Sequence, residues 1–138
     1  MKTLYTAVST AHGGRDGHVR SSDGIVDLDV KTPKEMGGAG GAGTNPEQLF
    51  AAGYAACFES AMRVVARKQK MPLADATVTG HVSFNVTDDG KYVLSVELHG
   101  KVEGMSRDDA QKLMEVAHTV CPYSNATRGN IDVKILAE

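Results

Sequence analysis

Only two cysteines, Cys57 and Cys121, occur among the 138 residues, too few for the disulfide framework that staples small secreted domains. Nor is there a dense run of lysine or arginine, and the net charge is only −2; nucleic acid and anionic membrane are therefore poor candidates for main partners. The N-terminal MKTLYTAVST lacks the uninterrupted apolar region and small-residue cleavage site of a secretory leader. No apolar run approaches the roughly 20 residues that cross a bilayer, so the expectation is a cytoplasmic chain without a membrane partner. In a reducing compartment a resting cysteine pair points to redox chemistry rather than a permanent staple. The sequon at Asn125, Ala126 and Thr127 then carries no glycan. Internal repeats are also missing, and 41% hydrophobic content over this length suits a single domain, residues 1–138, with a real core.

What is present is organised around residues 44–70, TNPEQLFAAGYAACFESAMRVVARKQK. Asn45 can cap a first helical turn, Pro46 suits the first helical position, and Gln48 can complete a capping box. Leu49, Gly53, Ala56, Ser60 and Val64 form one stripe of the predicted helix, with Phe50, Cys57, Ala61 and Val65 beside it. This phase turns Cys57 inward.

Upstream, residues 3–9 are rich in β-formers, GGRDG at 13–17 makes a turn, and 24–30 alternates, which predicts an N-terminal β-ribbon. KTPKEMGGAGGAG then delivers the chain to the helix as a mobile or tightly wrapped loop. Downstream, Val78, Val82, Phe84 and Val86 share one strand face, and Tyr92, Leu94, Val96, Leu98 and Val102 another, joined by a turn at Asp88, Asp89 and Gly90. Ser106 and Asp109 open a second amphipathic helix with Ala110, Leu113, Met114, Ala117 and Val120 on its apolar face. Ile131, Val133 and Ile135 make a last strand. The order strands, helix, hairpin, helix, strand predicts an α+β fold built on antiparallel sheets.

Gly38, Gly40 and Gly43 spell GxGxxG ahead of a helix. A dinucleotide site needs a strand running directly into those glycines within a parallel βαβ unit. Here residues 31–36 intervene, and flexibility is the better reading. His118 lies three residues before Cys121, but the other histidines, 12, 18, 81 and 99, are dispersed. No four-ligand zinc spacing results, and neither metal nor cofactor is expected.

A small thiol on an apolar helix face is ordinarily packing. To act as a nucleophile Cys57 must ionise, and it sits about three turns from the positive helix end, too far for the helix dipole to help much. A cation is required, and Arg15, Arg20, Arg63, Arg67, Arg107 and Arg128 are all candidates. Glu47, in the first helical turn, suits the dipole by itself and could also hold an arginine. Ten residues of helix put Glu47 about 15 Å from Cys57. Two copies of the helix crossing antiparallel would bring Glu47 of one chain toward Cys57 of the other, with the small residues Ala51, Ala52 and Gly53 at the crossing.

GGRDG, GGAGGAGTNPEQLFAAGYAACF and CPYSNATRGNI together resemble the organic hydroperoxide resistance (Ohr) branch of the OsmC superfamily, over essentially the whole chain. The resemblance implies antiparallel sheets wrapped around long central helices in an intertwined homodimer, and a cysteine-based thiol peroxidase. It implies that Cys57 attacks an alkyl or fatty-acid hydroperoxide and that Cys121 resolves the product as a disulfide. It also implies that Arg15 and Glu47 form an ion pair beside the reactive sulfur, and that dihydrolipoamide or a lipoylated protein is the reductant. Met36, Phe50 and Phe58 are the expected apolar lining of the substrate pocket. The competing readings are a redox sensor or apolar-ligand binder that uses the same thiols without turnover, and a structural protein with an inert Cys57.

Overall fold

The computed structural model describes residues 1–138. The chain divides into two compact units, residues 1–49 and 50–138, and one uninterrupted helix, α1 (Pro46–Lys68), runs through the boundary.

In the first unit β1 (Ser9–His12), β2 (His18–Ser21) and β3 (Asp27–Asp29) form an antiparallel sheet in that order. The ribbon expected from the sequence is thus three-stranded, and its first strand, Ser9–His12, overlaps the expected residues 3–9 only at Ser9. β2 escapes sequence reading because four residues between two turns are too few to display a period of two. The β1–β2 turn is the GGRDG segment: Gly13 has φ of 79°, and a Cβ at Gly17 would lie 1.9 Å from the His12 carbonyl oxygen, so no larger residue fits there. Asp16 ties this turn to the next segment by accepting from the Thr32 hydroxyl at 3.0 Å. The glycine-rich loop is tightly wrapped: the Gly38 and Gly40 N–H groups donate to the Pro33 and Thr32 carbonyls at 3.0 and 3.1 Å.

Asn45 accepts from the Gln48 N–H at 2.8 Å, satisfying one of the orphan donors of the α1 N-terminus. The Gln48 side chain accepts from the Thr44 hydroxyl at 3.0 Å, which departs from the reciprocal capping box the spacing suggested.

The second unit holds the rest of α1, the hairpin β4 (Ala76–Val86) and β5 (Tyr92–Val102), then α2 (Arg107–Val120), α3 (Pro122–Thr127) and β6 (Val133–Ala137). β4 and β5 pair antiparallel, and β6 joins β5 in parallel. This one ladder departs from the antiparallel expectation because two helices separate β5 from β6, a connection long enough for a crossover. Ser106 caps α2 by accepting from the Asp109 N–H.

The core of this unit is built from Tyr54, Phe58, Met62, Leu98, Leu113 and Met114, all fully buried. Its layers approach at glycines. A Cβ at Gly80 of β4 would sit 2.9 Å from the Ala51 carbonyl oxygen of α1, and one at Gly100 of β5 only 2.5 Å from the Met114 sulfur of α2.

Two sequence readings are corrected here. The buried stripe of α1 is Tyr54, Phe58, Ala61, Met62, Val65 and Ala66, while Ala56 and Ser60 are exposed. The aromatic residues outweigh the small ones in setting the phase, since they have more area to bury. Val120 leaves the apolar face of α2, at 39% exposure, because the helix ends there. α1 is long and apolar enough to span a bilayer by length and mean hydropathy, 1.2 over 18 residues. Tyr54, Phe58, Met62 and Val65 of this helix are buried in the protein core, as in a packed core helix.

Candidate active site

In the second unit α1 presents Cys57, and the kink between α2 and α3 presents Cys121. Cys121 ends α2 and caps α3, with Pro122 in the first position of the short helix, where its missing N–H costs nothing. The two sulfurs are 3.2 Å apart and both are free thiols. Cys121 is fully buried, whereas Cys57 is half-buried. Cys57 therefore lies on the flank of the α1 core stripe rather than at its centre. A disulfide needs about 2.05 Å between sulfurs, so the pair could bond with little movement.

Burial pushes the Cys57 thiol above its ordinary value of 9.0; the backbone N–H of Tyr123 opposes this, and the neighbouring Cys121 thiol adds to it. The backbone donor at the start of α3 thus only partly offsets burial. Tyr123 also covers Gly53: a Cβ there would fall 2.9 Å from the tyrosine hydroxyl. Beneath the sulfurs, the buried Tyr54 hydroxyl meets Ser124 Oγ at 2.8 Å and Thr127 Oγ1 at 3.1 Å. Sequence reading missed α3, Tyr54, Ser124 and Tyr123. The available signals were a proline directly after Cys121 and a glycine inside a helix, which commonly marks a close approach.

In the first unit Arg15, in the GGRDG turn, and Glu47, in the first turn of α1, form a two-pronged pair. Arg15 Nη1 donates to Glu47 Oε2 at 2.8 Å and Nη2 to Oε1 at 2.7 Å. This fork-to-fork geometry is specific to guanidinium. The Arg15 bonds hold the Glu47 carboxyl below its ordinary value, and Glu47 in turn raises Arg15.

Of the expected lining residues, Phe50 and Phe58 belong to the second unit and Met36 to the first. Phe58 is wholly buried in the core, because it continues the Tyr54 stripe one turn on. Met36 is a partly exposed residue of the first unit, in a short 3-10 turn. Phe50 lines a cavity of about 560 Å³ in the second unit, with Tyr92, Leu94 and Ile131 among its walls. His118 stands apart from any metal-ligand cluster; its Nδ1 is buried without a hydrogen-bond partner, and burial, then Arg128, lowers its pKa.

Comparison with known proteins agrees with this arrangement of elements. The profile of the OsmC-like protein family matches residues 38–136. An organic hydroperoxide resistance protein of Xanthomonas axonopodis pv. citri is 53% identical over 135 residues, covering 97% of this chain and 94% of that protein. Its counterpart OhrB of Bacillus subtilis is 47% identical, covering 96% of each. Among solved structures, an organic hydroperoxide resistance protein from Legionella pneumophila superposes with a TM-score of 0.93 at 54% identity, covering 99% of both chains. The OhrB structure from Bacillus subtilis gives 0.91 at 47% identity, over 99% of this chain and 100% of that one. With matches at this identity running nearly end to end, the chain belongs to the OsmC-like family, in its branch of organic hydroperoxide resistance proteins.

Proposed function

We propose that the protein is a cofactor-free thiol peroxidase that reduces organic hydroperoxides to alcohols, in defence against oxidative stress. The supporting observation is the thiol pair: a half-buried Cys57 that a substrate can reach, 3.2 Å from a fully buried Cys121. The Cys57 thiolate attacks the distal peroxide oxygen, the O–O bond breaks, and the alcohol leaves with a proton. The resulting Cys57 sulfenic acid condenses with the Cys121 thiol, forming the disulfide and releasing water, before a second peroxide can overoxidise it. A dithiol then restores both thiols by exchange.

Arg15 supplies the cation that Cys57 lacks, and Glu47 holds the guanidinium in a fixed orientation. That its relatives are organic hydroperoxide resistance proteins supports an organic hydroperoxide as substrate. A slender dithiol such as dihydrolipoamide or a lipoyl arm suits a half-buried disulfide better than a folded protein reductant does.

The acting form is a homodimer. Two features support it: the first unit buries only Val30 among its hydrophobic residues while leaving Leu4, Tyr5, Val8, Ile25 and Leu28 exposed, and α1 carries an exposed small-residue stripe at Ala52, Ala56 and Ser60. Uncovered apolar area of this kind signals a protein interface. A molar mass matching one chain at micromolar concentration removes the dimer.

The test of function is steady consumption of tert-butyl hydroperoxide with dihydrolipoamide as reductant, compared with thioredoxin and with Cys57→Ser. Sustained turnover with the lipoyl dithiol and none in the variant is the expected result. A single stoichiometric reaction without turnover identifies a sensor instead.

A further inference from the structure

We infer that Tyr54 is a positioning residue for the resolving step, its hydroxyl latching the Cys121-bearing segment to α1 so that the second sulfur stays within bonding reach. This role rests on the peroxidase cycle proposed above and goes beyond it by naming what keeps the two sulfurs together.

Tyr54 and Cys57 are three residues apart on α1, so they lie on adjacent turns of one face. Cys121 and Ser124 are likewise three apart, at the start of α3. The same two segments are therefore joined by two rungs: oxygen to oxygen at 2.8 Å between Tyr54 and Ser124, and sulfur to sulfur at 3.2 Å between Cys57 and Cys121. A third hydroxyl, Thr127 Oγ1, reaches Tyr54 at 3.1 Å and donates to the Ser124 carbonyl at 3.2 Å. All three residues are at most 5% exposed.

Hydroxyls in an otherwise apolar core are costly unless they satisfy one another, and an apolar trio would fill the same space. What hydrogen bonds add is direction. Dispersion alone allows α3 to slide or rotate against α1, whereas the Tyr54 hydroxyl fixes its register. The ring that carries this hydroxyl is itself pinned, packing on Phe50, Phe58 and Tyr123 with centroids 6.1, 6.5 and 5.7 Å away.

The consequence lies in a competition. The Cys57 sulfenic acid either meets the Cys121 thiol, where the S–O bond breaks, the S–S bond forms and water leaves, or it meets a second hydroperoxide, giving sulfinic acid and another alcohol. The first outcome depends on how much of the time the Cys121 sulfur is in contact. Attack on the first hydroperoxide does not.

The experiment exposes the parent, Tyr54→Phe and Ser124→Ala to rising cumene hydroperoxide without reductant, and reads disulfide against sulfinic acid by intact mass. Stopped flow follows the first step. Losing the latch is expected to lower the peroxide concentration that half-overoxidises Cys57 by about tenfold in either variant, leaving the first-step rate within about twofold. The double variant is expected to do no more than Tyr54→Phe alone, since that change already removes the bond to Ser124 together with the one to Thr127. Leu113→Ala, a core truncation that removes none of the latch hydroxyls, lowers the melting temperature and leaves the partition where it is in the parent.

An unchanged partition in both single variants overturns the role of Tyr54 while leaving the cycle intact. So does a matching shift in Leu113→Ala. If the parent itself forms no disulfide between Cys57 and Cys121, the cycle falls and the role of Tyr54 with it.

Discussion

Replacing Arg15 by alanine tests the electrostatics of the proposed site most directly. The surroundings of Cys57 in its own unit oppose ionisation: burial and the Cys121 thiol raise its pKa, and the Tyr123 N–H only partly offsets them. Raised above the ordinary thiol value, Cys57 needs a neighbouring positive charge to ionise at pH 7. In general, a guanidinium within about 4 Å of a thiolate contributes about 4 kcal/mol at an effective dielectric near 20, equivalent to roughly a thousandfold in thiolate. With part of that screened by solvent, Arg15→Ala is expected to slow peroxide reduction at pH 7 by about 10²- to 10³-fold. The loss narrows as pH rises and the thiol ionises unaided. The assay is the pH profile of iodoacetamide alkylation of Cys57, measured in a Cys121→Ser background to isolate one sulfur. Arg15→Lys is expected to fall between parent and alanine, because a point charge cannot form the two-pronged pair with Glu47. Identical alkylation profiles in Arg15→Ala and its parent would refute the reasoning, since Arg15 would then not be the cation.

Cys121→Ser should complete one reduction and then accumulate Cys57 sulfinic acid, visible by intact mass after excess hydroperoxide; a variant that keeps turning over needs no resolving thiol. Gly80→Ala should gain about 0.5–1 kcal/mol from the backbone and lose about 1–3 kcal/mol to overlap with the Ala51 carbonyl, 2.9 Å from the new methyl. The net is a melting temperature roughly 2–8 °C lower by calorimetry; an equal or higher value shows that α1 can retreat freely. Because Arg15 depresses the Glu47 carboxyl, the pair's stabilisation is complete above the ordinary value of 4.5 and is lost as pH falls through the depressed one. Acid unfolding of Glu47→Gln should accordingly be less steep below pH 4.5 than that of the parent. His18 is raised because Asp29, at 2.8 Å, and Asp27 both accept from its ring. Its NMR titration should have a midpoint above 6.5, and a midpoint at or below that value means the two carboxylates are not its partners in solution.

How much of the site was legible depended on whether each residue carries a local signal. Asn45 and Ser106 announced their helices because capping is settled within four residues. The hairpin at Gly90 followed from alternation on both sides of a turn. Tyr54 gave no such sign, since its partners Ser124 and Thr127 lie 70 and 73 residues away and nothing local distinguishes a latched tyrosine from a packed one. Phe58 misled for the opposite reason. Its neighbour Cys57 drew it toward the pocket, while the true phase of α1 was set by the large side chains that β4, β5 and α2 enclose.

The amino-acid order by itself determined the elements, their caps and turns, the identity of the two sulfurs, and the family, because these follow from short-range sterics and from motifs readable along the chain. Only the folded chain decided that Cys57 and Cys121, 64 residues apart, stand 3.2 Å from each other with one fully buried and the other half-buried. It also decided that β6 runs parallel to β5, and that Arg15 closes on Glu47 across 32 residues. Those relations depend on how buried surfaces fit together, and that fit is a property of the packed layers, absent from any single stretch of sequence.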